Sequence, residues 1–198
     1  MLTRPLVALL VALSAESVAA QTPADVTFMQ GMIVHHGQAL AMARMIPSRT
    51  SRQDFALMSE RIIVSQKDEI DFMTAWLREH KAAVPMLEDD TKAHAMHMEH
   101  GSGHGDHAAD SAMHHAMMPG MLTPEEMTQL AKLSGAAFEQ QFLKGMIRHH
   151  QGAIQMVKSL LSTKGGAQDA NVARFANEVD ADQSAEIARM QKLLQPTQ

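Results

Sequence analysis

The chain has 198 residues, enough for one domain with a sizeable core, and a formal charge of −5 that offers no basic field for a phosphate backbone. Nucleic acid is thereby excluded as an expected partner. Aromatic residues make up only 4% and cysteine is absent, so helix is favoured over sheet and neither disulfides nor thiolate ligands are available.

The first 20 residues read as a signal peptide. Arg4 gives the positive start, Leu6 to Leu13 the apolar run, and Val18 and Ala20 a small-x-small end before Gln21. Cleavage after Ala20 is expected, because the run is far shorter than the roughly 20 apolar residues that span a bilayer. An uncleaved anchor is the weaker alternative. Removing Arg4 and Glu16 takes one charge of each sign, and the mature protein is expected in a bacterial periplasm, without stable membrane association. Residues 21–198 then form a single helical domain.

The first hairpin is expected over 22–80, with helices at 23–46 and 53–80. Thr22-Pro23 places an N-cap before a proline at the first helical position, and Pro47 is read as the end of the first helix. Residues 81–122 form a linker, of which the stretch "MLEDDTKAHAMHMEHGSGHGDHAADSAMHHAMMPGM" from Met86 to Met121 is broken by Gly101, Gly103 and Gly105. It reads as a flexible insertion. The second hairpin is expected over 123–195, with helices at 124–162 and 168–194 and a break near Ser134-Gly135. Thr123-x-x-Glu126 is a capping box.

The two hairpins are copies. "GMIVHH" from Gly31 returns as "GMIRHH" from Gly145, and at the same offset of 114 Phe28, Ala39 and Met42 match Phe142, Ala153 and Met156. Gln66, Glu69, Ile70 and Met73 match Gln183, Glu186, Ile187 and Met190 at an offset of 117, which puts three extra residues in the second copy near "KGGA". Two helical hairpins make a four-helix bundle.

On a helix of 3.6 residues per turn, Met32, His35, His36, Ala39 and Met42 share one stripe, and so do Met146, His149, His150, Ala153 and Met156. The histidines therefore point inward. Burying four imidazoles without partners would be costly, and metal ligation supplies the partners. Methionine is the compositional outlier at 18 residues; Met58, Met73 and Met190 fit core filling at helical spacing. The linker does not. Its His94, Met96, His97, Met98, His100, His104, His107, Met113, His114, His115, Met117, Met118 and Met121 have no packing reason to be thioethers and imidazoles, and metal capture explains them better.

Ligand type then selects the metal. Thioether sulfur is soft and suits Cu(I), imidazole suits either copper oxidation state, and zinc prefers cysteine and histidine. Copper is the expected ion, Cu(I) first and Cu(II) second. Asp25 and Glu139, eleven residues before His36 and His150, either orient an imidazole or favour a helix N-terminus. Gln66, Glu69, Gln183 and Glu186 are expected to satisfy imidazole N–H groups.

"FMQGMIVHHGQALAMA", "MPGMLTPEEMTQLAKLSGAAFEQQFLKGMIRHHQGAIQM" and the two Gln-x-x-Glu-Ile segments resemble the bacterial domain of unknown function 305 family over Asp25 to Leu194. The resemblance implies an exported ferritin-like four-helix bundle, with copper bound by some members and a contribution to copper tolerance. It carries Met32, His35, His36, Met42, Met118, Met121, Met146, His149, His150 and Met156 as site residues. The long His/Met-rich insertion departs from the family pattern.

Two rival classes stand beside a binding protein. A di-metal or copper oxidase on the same bundle would use Glu-x-x-His pairs, and no glutamate here has a histidine three residues on. A purely structural helical module leaves both histidine pairs and the linker as coincidence. A binder that sequesters, buffers or hands on copper, with periplasmic copper-handling proteins as candidate partners, accounts for all of them.

Overall fold

The computed structural model describes residues 22–87 and 118–195. Within them lie α1 (Pro23–Ala43), the single turn α2 (Ile46–Arg49), α3 (Gln53–Glu79), α4 (Pro124–Lys132), α5 (Gly135–Ser162) and α6 (Ala170–Leu194), with no strand among the described residues. The leader reading and the linker residues from 88 to 117 fall outside this set.

Local chemistry sets the helix ends. The Thr22 hydroxyl accepts from the Asp25 N–H, the Thr123–Glu126 capping box is formed in both directions, and Asp169 accepts from the N–H groups of Asn171 and Val172. α4 stops at an extended Leu133, and Gly135 takes φ 57°, a conformation that only glycine adopts cheaply. This is the expected break. Pro47 acts differently from its reading. α1 already ends at Ala43, and Pro47 opens α2 as one of its first residues. A proline lacks the N–H that would have bonded the carbonyl four residues back, so the helix is released at Ala43 and not at the proline itself. The freed Ala43 carbonyl is buried and accepts from the Ser59 hydroxyl at 2.9 Å.

The four long helices pack as α1 on α3, α5 on α6, and α1 on α5. Their side chains form two separate apolar clusters. One joins Met32 and Phe28 of α1 with Met73 and Trp76 of α3, Val157 of α5 and Phe175 of α6. The other joins Met42 of α1 with Phe55 and Met58 of α3, Phe142 and Met146 of α5 and Met190 of α6. The first half of α1 thus meets the second halves of α3 and α5, so packed neighbours run antiparallel. Met58, Met73 and Met190 are core filling, as expected from their spacing.

Asp25 and Glu139 neither face an imidazole nor simply answer a helix dipole. Asp25 is fully buried and accepts from the N–H groups of Ala167 at 2.6 Å and Asp169 at 3.3 Å, pinning the α5–α6 loop to the start of α1. Glu139 accepts from Thr50 at 2.5 Å and Arg52 at 3.0 Å, pinning the α2–α3 connection to α5. Each carboxylate therefore ties the other hairpin's connection to its own long helix. Ala167 sits at φ 53°, a strained conformation for alanine that the Asp25 contact holds in place. Asp25→Ala strands both N–H groups, and urea unfolding of the metal-free protein is expected to show a loss of about 1–3 kcal/mol with metal stoichiometry unchanged.

Candidate metal centre

Between the two apolar clusters lies a polar layer. α1 contributes His35 and His36, α5 His149 and His150, α3 Gln66 and Glu69, and α6 Gln183 and Glu186. All four histidines are essentially without solvent contact, at 0–1% exposure, and both glutamines are buried. The repeat explains the arrangement, because antiparallel helices bring equivalent positions of the two hairpins to the same height.

Adjacent residues on a helix point about 100° apart, so each histidine pair divides. His35 and His149 turn toward each other, their ring centroids 3.9 Å apart. His36 turns to Glu69, which its Nε2 meets in a short hydrogen bond, and His150 Nε2 lies 3.7 Å from Glu186 Oε2, too far for a hydrogen bond. His35 Nε2 donates to the Pro119 carbonyl at 2.9 Å, and His149 Nε2 donates to the His35 carbonyl at 3.0 Å.

These partners fix the tautomers. A carbonyl oxygen only accepts, so the single N–H of a neutral His35 or His149 ring is on Nε2 and Nδ1 carries a bare lone pair. The Glu69 carboxylate likewise calls for a proton on His36 Nε2. The Nδ1 atoms of all four histidines are buried and have no hydrogen-bond partner in the protein. Burial lowers the His35 pKa from 6.5 to about 3, with the Pro119 bond pulling the other way and His36 and His150 adding to the fall. His149 is pushed well below the ordinary imidazole value by its burial and by the three other rings. Burial also lowers His150, against the opposing pull of Glu186. For Glu186 burial acts upward, but His150 and Arg61 outweigh it and leave the carboxyl below its usual range.

Glu69 thus satisfies an imidazole as expected, whereas Glu186 faces His150 without reaching hydrogen-bond distance, and Gln66 and Gln183 satisfy none. Their Oε1 atoms are buried without partners, as is His150 Nε2, while the Nε2 atoms of His35, His36 and His149 are directed elsewhere.

Met32 flanks the layer within one apolar cluster, and Met42 and Met146 flank it in the other, all three with no exposure. Met118, Met121 and Met156 are half-buried at its edge. His94, Met96, His97, Met98, His100, His104, His107, Met113, His114, His115 and Met117 lie outside the described residues. Among those described, no three His, Asp or Glu side chains converge on one ion position. What the layer offers a cation is a set of buried imidazole nitrogens without partners, with methionines in the apolar clusters on either side.

The turn that carries Met118 and Met121 is held by contacts that the sequence reading missed. Gln38 clasps Leu122 twice, donating to its carbonyl at 2.9 Å and accepting from its N–H at 2.7 Å. Gly152 lets the turn touch α5, since a Cβ there would lie 1.8 Å from the Pro119 oxygen. Gly37 does the same for the other end of the linker, where a Cβ would meet Leu87 at 2.7 Å. The available signal was a swap between the copies, "HHGQA" against "HHQGA". Each glycine sits where one end of the linker lands.

The sequence profile described as Domain of unknown function (DUF305) matches residues 25–194. Among solved structures, a DUF305 fragment from Deinococcus radiodurans is 29% identical, with a TM-score of 0.66, over 87% of this chain and 96% of that one. A candidate secreted DUF305 protein from Streptomyces coelicolor is 27% identical, with a TM-score of 0.64, over 86% of this chain and 90% of that one. CopM in a Cu(I)-bound form is 23% identical, with a TM-score of 0.58, over 88% of this chain and 96% of that one, and its Cu(II)-bound form gives 24% and 0.55 over 86% and 95%. A curated relative, the uncharacterized protein L153 of Acanthamoeba polyphaga mimivirus, is 37% identical over 57 residues; the match covers 29% of this chain and 38% of that protein's length. With the profile spanning both hairpins and the whole histidine layer, the chain belongs to the DUF305 family.

Proposed function

We propose that this protein is an exported, periplasmic copper binder that sequesters, buffers or hands on copper, chiefly Cu(I), through methionine and histidine, and so contributes to copper tolerance. It acts as a binder and not as an enzyme, on a ferritin-like four-helix bundle. The observation that carries this reading is the layer of four buried imidazoles whose Nδ1 atoms have no partner, set between apolar clusters that hold the buried Met32, Met42 and Met146. The Cu(I)- and Cu(II)-bound forms of CopM, a protein of similar fold, support copper as the cargo. No helix among the described residues is long and apolar enough to cross a membrane.

The residues divide the work. Burial keeps His35, His149 and His150 neutral at physiological pH, so copper displaces no proton from them. Glu69 holds the His36 ring with Nδ1 available. Met118 and Met121 close the edge of the layer, and the linker residues from His94 to Met117 act as a capture arm of many weak ligands. Both ends of that arm land at the layer, Leu87 on Gly37 and Pro119 on Gly152. Copper passes between arm and layer by replacement of one soft ligand by another.

Metal titration of the mature protein tests this reading. Cu(I) and Ag(I) are expected to bind ahead of Zn(II) at neutral pH. Deleting residues 88–117 lowers the number of bound ions but keeps at least one tight site, while alanine at His35, His36, His149 and His150 removes the tight site and leaves weak binding. The two losses are expected to add, as for sites that share no ligands. Zn(II) binding as tight as Cu(I), or loss of all copper on deletion of the arm, would contradict it.

The metal-free protein also has a predictable pH dependence. Between the ordinary imidazole value and the lowered folded value, the unfolded chain binds protons that the folded chain refuses, so stability falls as pH falls. For His35 the window runs from 6.5 down to about 3. Urea midpoints are expected to be level above about pH 7 and to drop below it, each such histidine adding a slope approaching about 1.4 kcal/mol per pH unit. A midpoint unchanged between pH 8 and pH 5 would show that the rings are not held neutral.

A further inference from the structure

The two copies are equivalent in sequence at the glycine that opens each "GMI" motif, yet the structure treats the two glycines differently. A Cβ on Gly31 would meet Met156 Cε at 3.4 Å and Met118 Sδ at 3.8 Å. A Cβ on Gly145 would meet Leu122 Cδ2 at 3.3 Å and Met42 Cε at 3.4 Å. Met156 and Met42 are repeat equivalents, so each helix leaves a notch that receives the same methionine from the opposite copy. The third neighbour breaks the symmetry. The linker's terminal turn lays a thioether, Met118, over one notch and an alkyl group, Leu122, over the other.

Exposure follows this difference. Gly31, Met118 and Met156 are all half-buried, whereas Gly145, Met42 and Leu122 are all buried. The half-open notch also adjoins the layer directly. Met118 precedes Pro119, whose carbonyl accepts from His35, and Met32 follows Gly31 with no exposure. A soft cation arriving there meets one thioether from the turn and one from α5 before it reaches a bare imidazole nitrogen. At Gly145 the same path is closed by a leucine that offers no lone pair.

We infer that copper reaches and leaves the histidine layer by a single route, the notch over Gly31 between Met118 and Met156, and that Leu122 seals the equivalent route over Gly145. The inference rests on copper binding at the layer and adds to it a direction and a plug. The asymmetry lies in the kinetics of exchange and not in the amount bound, because neither Gly31 nor Leu122 is a ligand. It also places the exchange point at the C-terminal end of the capture arm, since Met118 directly follows Met117 in the chain.

The test mixes the metal-free full-length mature protein with a coloured Cu(I)–bicinchoninate complex and follows both the rate and the final extent of copper transfer. Gly31→Leu fills the open notch at a half-exposed position. It is expected to slow transfer about tenfold, with final stoichiometry and far-UV circular dichroism unchanged. Gly31→Ala, whose Cβ makes only ordinary contacts, slows it less and guards against misfolding of the larger variant. Adding Leu122→Ala to Gly31→Leu opens the sealed side and restores much of the rate. Transfer by Gly31→Leu at the wild-type rate overturns the single route, and so does a fall in final stoichiometry, which would make the notch the site itself. Failure of the wild-type protein to take any Cu(I) from the complex would instead sink copper binding at the layer.

Discussion

Four imidazoles enclosed between two apolar clusters are the constraint from which the rest of the structure follows. Each carries a polar nitrogen that water can no longer reach, and a buried unpaired acceptor costs on the order of 1–3 kcal/mol. Packing a hydrophobic side chain in each place would have given one continuous core at less cost. Instead the core is divided at mid-height, and the stability of the protein rests on Phe28, Trp76 and Phe175 on one side and Phe55, Phe138 and Phe142 on the other. The Nε2 atoms of His35, His36 and His149 are each given a hydrogen-bond acceptor, while all four Nδ1 atoms are left bare. A layer built for stability alone would have no reason to satisfy one side of a ring and orphan the other. A layer that receives a soft cation does.

Duplication supplies the geometry, and small departures from it set where the linker meets the helices. Antiparallel copies bring equivalent residues to one level, which is why the two histidine pairs meet and why Asp25 and Glu139 act as matched struts. The swap of glycine and glutamine after the histidines then decides where the linker lands. Gly37 admits Leu87, Gly152 admits Pro119, and Gln38 grips Leu122. The linker thus leaves and rejoins the helices beside the histidine layer.

Much of this was legible in the sequence, and for identifiable reasons. The capping box at Thr123, the break before Gly135 and the shared stripe of His35, His36, His149 and His150 depend on neighbours within one or two helical turns, where spacing alone is informative. The end of α1 was misplaced by three residues because the effect of Pro47 falls on the carbonyl it fails to bond and not on its own position. Gln66 and Gln183 lie in the layer as their alignment with the glutamates suggested, but which imidazole N–H remained free depended on Pro119 and the His35 carbonyl, far away in the chain. The grip of Gln38 and the landing of the linker on Gly37 and Gly152 are contacts between distant segments. No periodicity announces them.

The central claim is that the Nδ1 atoms of the four layer histidines are the nitrogens that receive the metal. Nuclear magnetic resonance of the ring nitrogens in 15N-histidine-labelled protein, before and after Ag(I) is added as a stand-in for Cu(I), measures this directly. In the metal-free protein, neutral Nε2–H tautomers are expected at His35 and His149, and a proton on Nε2 at His36, facing Glu69. On binding, the shift and the silver coupling are expected at Nδ1 of the layer histidines, with Nε2 still protonated. Metal-free rings protonated on Nδ1, or silver coupling confined to Nε2 or to linker histidines, would contradict the account.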